Sequence, residues 1–146
     1  MENILWEFLK DQGYSKSKLK RTITNHFEVK ATINGIKGRF ILDTGASNSC
    51  IGFTDTDFFK LNAEESSIKA AGAGAINMQT QTATHNTIKI GAYTNNAVTF
   101  VLFSLEHVNT ALTMHNAKPV HGIIGADILI HAKAIIDYNK KYLYLK

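Results

Sequence analysis

RFILDTGASNSCI, residues 39–51, carries an apolar run straight into a carboxylate and then a glycine. Phe40, Ile41 and Leu42 read as a strand entering an interior, and Asp43 is followed at once by Thr44 and Gly45. A surface turn has this pattern, and so does an acid held on a rigid loop. The flanking sequence narrows the choice. Upstream, HFEVKATING (26–35) alternates Phe27, Val29, Ala31 and Ile33 with His26, Glu28, Lys30 and Thr32, the two-residue period of a half-buried strand. Asn34-Gly35 is a strong hairpin signal, because a type I′ turn needs positive φ at both central residues. The returning strand, IKGRFIL, ends at Leu42 and delivers Asp43 into the loop beyond it.

Outward from this hairpin the chain reads as mostly β with one or two short helices. Ile4, Leu5, Phe8 and Leu9 fall on one side at helical spacing, which predicts an amphipathic helix over residues 2–12 with Trp6 as a packing anchor. GYSKSKLKRTITN reads as a polar connector, so the domain division is a helix and connector over 1–20 and a main domain over 21–146. TDTDFFKLNAEES is either a short helix or a loop, and AAGAGAINMQ (70–79) is built of small, turn-prone residues. Two strands follow, Thr87–Ile90 and Ala97–Phe103, joined by a loop with a glycine and two asparagines. HVNTALTMHNAKPV reads as a connection. GIIGADILIHAKA begins as a buried strand, turns at Gly125 and continues as a helix that Asp127 is placed to cap. AIIDYNKKYLYLK closes the chain as a hairpin, with Asp137 in its turn.

Composition removes several function classes. The 146 residues fit one domain with a core of its own, and a single cysteine, Cys50, excludes an internal disulfide. That thiol reads as a small buried hydrophobe and fits a reducing, cytoplasmic setting. The N-terminus has acidic residues where a secretory signal needs basic ones, and no stretch approaches the ~20 apolar residues of a membrane span. The formal charge is +4, yet the basic residues cluster in sequence only at KSKLKR and near the end, without interleaved aromatics. No nucleic-acid or membrane partner is expected. The six histidines (26, 85, 107, 115, 121, 131) form no metal-ligand spacing, and no metal or cofactor is expected.

Asp-Thr-Gly alone is weak, since three common residues recur by chance. Its partner segment lies far away: Ile123-Ile124-Gly125, two β-branched apolar residues and a glycine leading into a helix. With FILDTGAS and HGIIGADIL in this order, the chain resembles the retropepsin-like aspartic proteases, marked by Asp-Thr/Ser-Gly-Ala/Ser and a later apolar–apolar–Gly segment. The resemblance spans about residues 26–146. It implies a closed β-barrel of the acid-protease fold whose active site forms at a homodimer interface. Such enzymes hydrolyse peptide bonds with a water activated between two carboxylates that share one proton. Only one suitable triplet is present, since DTD at 55–57 and GAD at 125–127 do not qualify. The second Asp43 must come from a twin subunit.

The resemblance also assigns roles. Asp43 is the catalytic acid/base, and Thr44 packs at the two-fold axis. Gly45, Ala46 and Ser47 complete the active-site loop and meet the substrate. Gly72, Ala73 and Gly74 belong to a flap, and Ile123, Ile124 and Gly125 wall the cleft. Retroviral members commonly pair an Asp at the position of Ser47 with an Arg at that of Ala126. Both are missing here, which points to the cellular and bacterial branch and to other dimer contacts, with KYLYL and the helix at 2–12 as candidates. The rival readings are a dimeric peptide-binding module that cleaves little, and a small basic nucleic-acid-binding protein.

Overall fold

The computed structural model describes residues 3–65 and 79–146, and the flap assigned to Gly72, Ala73 and Gly74 lies outside the described residues. The hairpin forms as its alternation dictates. Strands β3 (Phe27–Ile33) and β4 (Ile36–Leu42) pair antiparallel from Phe27↔Leu42 to Ile33↔Ile36. The turn between them has φ of 51° at Asn34 and 86° at Gly35. Before it come helix α1 (Ile4–Asp11) and strands β1 (Ser15–Lys18) and β2 (Lys20–Arg21); after it come β5 (Cys50–Gly52), a 3-10 turn (Phe53–Asp55) and β6 (Glu64–Glu65). Beyond residue 78 the order is β7 (Gln81–Ile90), β8 (Tyr93–Phe103), α2 (Glu106–Met114), β9 (Gly122–Ile124), α3 (Ala126–His131), β10 (Ile135–Asp137) and β11 (Tyr142–Leu145).

The larger sheet runs β2-β3-β4-β9-β5-β8-β7-β6, and an added β3–β7 pairing closes the strands between them into a barrel. Closure removes the open edges of the strands it joins. The interior holds Phe40, Phe59, Phe100, Ile33, Ile51, Ile88, Leu102 and Ile124, all fully buried. A second apolar cluster, with Ile41, Cys50, Ile123, Leu105 and Leu112, lies on the opposite face of β4, β9 and β5 and is covered by α2. One strand set thus serves two cores, because neighbouring side chains alternate between faces.

Several expectations are revised. β7 and β8 are longer than Thr87–Ile90 and Ala97–Phe103, and the connection shrinks to Gly91 and Ala92, since Ile90 pairs with Tyr93. The polar start of β7 is strand because its buried amide is satisfied: Asn86, at a bulge in the β7–β8 pairing, donates to the carbonyls of Ala83 and Val98 and accepts from Asn34. HVNTALTMH is not a plain connection but contains α2, which anchors through Leu112. SKSK, within the expected connector, forms β1 and pairs with β11. β11 is therefore flanked on both edges, by β1 and β10 of the same chain, and offers no free edge for strand pairing with a partner. α1 forms within the expected span, capped by the Asn3 side chain, and Trp6 stacks on Tyr144. Of its apolar side only Leu9 is buried; Ile4 is 79% and Phe8 60% exposed.

Gly122 lies where β9 threads between β4 and β5. A Cβ there would sit 2.1 Å from the carbonyl oxygen of Cys50, a backbone atom that cannot yield without breaking the pairing. Gly122→Ala is expected to lower stability by about 3 kcal/mol, read as a shift of the urea midpoint.

Candidate active site

The loop from Asp43 to Ser49 leaves one neighbour of β9 and returns as the other. β4 runs parallel to β9, with Ile41↔Ile123 and Leu42↔Ile124, and β5 runs antiparallel to it, with Cys50↔Ile123. The loop is pinned to β9 and α3 at three levels. The Asp43 N–H donates to the Ile124 carbonyl at 3.0 Å, and the Ala126 N–H donates to the Ala46 carbonyl at 2.7 Å. Between these, the Ser49 hydroxyl accepts from the Gly125 N–H at 2.8 Å and donates to the Asp127 carboxylate at 2.7 Å. Asp127 also receives the Ser49 N–H at 3.0 Å. The expected helix cap is therefore corrected. Gly125 holds the N-cap position without a side-chain bond, and Asp127 instead clamps the end of the Asp43 loop.

Asp43 itself is partly exposed, and its carboxylate accepts the Gly45 N–H at 2.9 Å. A Cβ on residue 45 would lie 3.3 Å from that carboxylate oxygen, so glycine keeps the ground beside it clear. Asp43 opens into a cleft of about 870 Å³ whose walls include Ile41, Ile123, Val108, Leu112 and Met114. Ile123 lines this cleft, whereas its neighbour Ile124 belongs to the barrel core and is fully buried. Gly125 backs the loop: a Cβ there would come within 2.5 Å of the Ala46 carbonyl oxygen. Thr44 lies on the other side, edging a shallow hollow with Ala126, Leu129 and Ile130. Ser47 is exposed at the loop tip and Ala46 is half-buried.

The contribution of α2 to the cleft was not legible in the sequence. His107 and His115 line it, opposite His26 and the exposed Ile23. His121 is a packing group: its Nδ1 accepts the Arg39 N–H at 3.0 Å and its ring stacks on Phe58. Among the described residues no three His, Cys, Asp or Glu side chains converge as a metal site would require. Cys50 is buried, and its thiol pKa is pushed up to about 12, first by burial and then by the nearby charges of Asp127 and Asp43.

Two measurements follow from this geometry. Ser49→Ala strips Gly125 and Asp127 of a buried partner and is expected to cost about 1–3 kcal/mol in chemical denaturation. Cys50 is expected to resist a maleimide at pH 8 in the folded protein and to react fully once denatured, because the thiolate is the attacking species.

The arrangement is one carboxylate on a loop interlocked with a glycine-ended apolar strand, on the wall of an apolar cleft. Residues 29–128 match the family model described as aspartyl protease. No curated protein matches the chain. Among solved structures it is similar to a retropepsin-like aspartic protease from Rickettsia conorii, at 18% identity and a TM-score of 0.61 over 90% of each chain. The EIAV protease complexed with the inhibitor HBY-793 is similar at 20% identity and a TM-score of 0.59, over 81% of this chain and 98% of that one. The retroviral protease-like domain of Ddi1 from Leishmania major gives 16% identity and a TM-score of 0.57, over 87% and 90%. The chain belongs to the aspartyl protease family and has the retropepsin-like fold.

Proposed function

We propose that this protein is an aspartic endopeptidase that works as a homodimer, each subunit supplying one Asp43. The observation that carries this reading is the position of Asp43: a single carboxylate, partly exposed, on a loop fixed by backbone bonds and opening onto an apolar cleft. One carboxylate cannot act as general base toward water and as general acid toward the scissile carbonyl at once. Two of them about 3 Å apart cannot both ionise and so share a proton, which supplies both roles. The ionised Asp43 takes a proton from the water as its oxygen attacks the carbonyl carbon. The protonated Asp43 of the twin subunit gives its proton to the carbonyl oxygen. Collapse of the tetrahedral species breaks the C–N bond as the amine nitrogen is protonated.

The remaining loop residues support this step. Thr44, at the hollow beside α3, would meet its counterpart, and Ala46 and Ser47 are assigned to the active-site loop on the sequence resemblance. Ile123 forms the apolar wall against substrate, while Ile124 and Gly125 act from behind by fixing the loop. Gly72, Ala73 and Gly74 are assigned to the flap on the sequence resemblance. With both edges of β11 occupied, the twin would be held through side-chain surfaces. Exposed Ile130 beside the Thr44 hollow, and exposed Ile4 and Phe8 on α1, are available for this. Among the described residues no helix is long and apolar enough to cross a membrane. We place the enzyme in the cytoplasm on its single buried thiol.

Asp43→Asn is expected to keep fold and dimer and to lower hydrolysis of peptide substrates at mildly acidic pH by at least about 10³-fold. Pepstatin is expected to inhibit the unaltered protein. Undiminished turnover in Asp43→Asn would remove this residue from the mechanism. Tight peptide binding without turnover in the unaltered protein would favour the binding-module reading.

A further inference from the structure

The hairpin that delivers Asp43 has a second face. While Val29, Ala31 and Ile33 enter the barrel, Lys30 and Thr32 turn outward. The register sets Lys30 directly opposite Arg39, and Thr32 directly opposite Lys37. On its other side β3 meets β7, where Thr32 lies opposite Lys89. Lys37, Thr32 and Lys89 therefore form one row across three strands, with Lys30 and Arg39 in the adjoining row. At ~4.8 Å between strands, the row is roughly 10 Å wide. A hollow of about 650 Å³ opens over it, lined also by Gly38, Gly91 and His121, and among the described residues no carboxylate lines it.

The charge here is largely uncompensated. Glu28, only 7% exposed, lies 3.5 Å from Arg39 Nε, and Arg39 also donates to the Pro119 carbonyl at 3.1 Å. Arg39 is thus held and offset. Asp55 interacts with His121, which partly counters the rise in the Asp55 pKa that burial causes. Lys30, Lys37 and Lys89 are exposed and make no ion pair among the described residues. Like charges directly opposite each other weaken a sheet. The alternation asks only for polar groups at these positions, so the fold gives no reason for cations there. Only Lys30 and Arg39 face each other directly, and Arg39 is offset by Glu28, so what the hollow offers a ligand is the ammonium groups of Lys30, Lys37 and Lys89.

We propose that this hollow is an exosite that holds an acidic segment of a polypeptide substrate, apart from the cleft at Asp43. Among the described residues none lines both hollows. The confined patch favours a peptide over a nucleic acid, because single-strand binders add stacking aromatics along an extended groove and no aromatic ring beyond the His121 imidazole lines this hollow. The anion is a carboxylate of Asp or Glu or the phosphate of a modified Ser or Thr; both offer acceptor oxygens to ammonium groups. The exosite deepens the peptidase reading and rests on it for the nature of its ligand.

The test compares the unaltered protein with a variant carrying Lys30→Ser, Lys37→Ser and Lys89→Ser, by fluorescence anisotropy. The probes are a hexaglutamate peptide, a phosphoserine peptide, a glutamine control and a single-stranded oligonucleotide of equal charge. The acidic peptides are expected to bind the unaltered protein in a salt-sensitive way. Binding should weaken at least about tenfold in the variant, the equivalent of ~1.4 kcal/mol. The variant should melt no lower than the parent and cleave a short neutral peptide at the same rate. A preference for either acidic peptide supports the exosite and identifies the anion. Unchanged affinity in the variant, equal binding of the glutamine peptide, or tighter binding of the oligonucleotide overturns it. Acidic-peptide binding that needs the lysines, in a protein that cleaves no peptide, would sustain the exosite and sink the peptidase reading alone.

Discussion

The Ser49 hydroxyl, fully buried, donates a hydrogen bond to Asp127 and accepts one from the N–H of Gly125, and through this one oxygen the two distant motifs become a single object. An aspartate at the end of a strand would otherwise sit on a loop free to wander. Here the loop is tied at its start by Asp43 to Ile124, in its middle by Ala46 to Ala126, and at its end by Ser49 to Asp127. Such close interlocking leaves no room for a Cβ at either end of the Gly122–Gly125 segment that passes through it. That constraint explains Gly122 and Gly125, where a Cβ would strike backbone oxygens of Cys50 and Ala46. A carboxylate proposed to transfer protons needs its position held in this way.

The barrel supplies the rigidity behind this arrangement. β4, β9 and β5 present Phe40, Ile124 and Ile51 to one core and Ile41, Ile123 and Cys50 to the other. The loop they anchor cannot shift without disturbing packing on both faces. The second core exists because α2 covers it, and the same helix forms one bank of the cleft through Val108, Leu112 and Met114. Cleft shape and core stability are therefore linked through one short helix.

Much of this was legible in the residues. The β3–β4 hairpin announces itself by strict alternation and an Asn-Gly turn, and the strand-to-helix switch at Gly125 by an apolar run ending in glycine. What stayed hidden depends on partners distant in the chain. The start of β7 looks like loop because its polar residues are counted before the bulge that satisfies Asn86 is known. The apolar stripe of α2, Val108 with Ala111 and Leu112, spans barely one turn among polar residues and buries little beyond Leu112. Asp127 sits where a cap would sit, and only the fold reveals Ser49 as its better donor. The basic surface is invisible in sequence for the same reason: Lys30, Lys37, Arg39 and Lys89 are scattered along the chain and meet only through strand register.

The account stands on the claim that each subunit holds half of the reacting pair. The most direct test mixes unaltered and Asp43→Asn subunits at constant total concentration, allows them to exchange, and follows peptidase activity against the unaltered fraction. If both carboxylates are needed, activity falls as the square of that fraction, because every mixed dimer is silent. Activity that falls in simple proportion would mean that one subunit suffices, and would contradict the account.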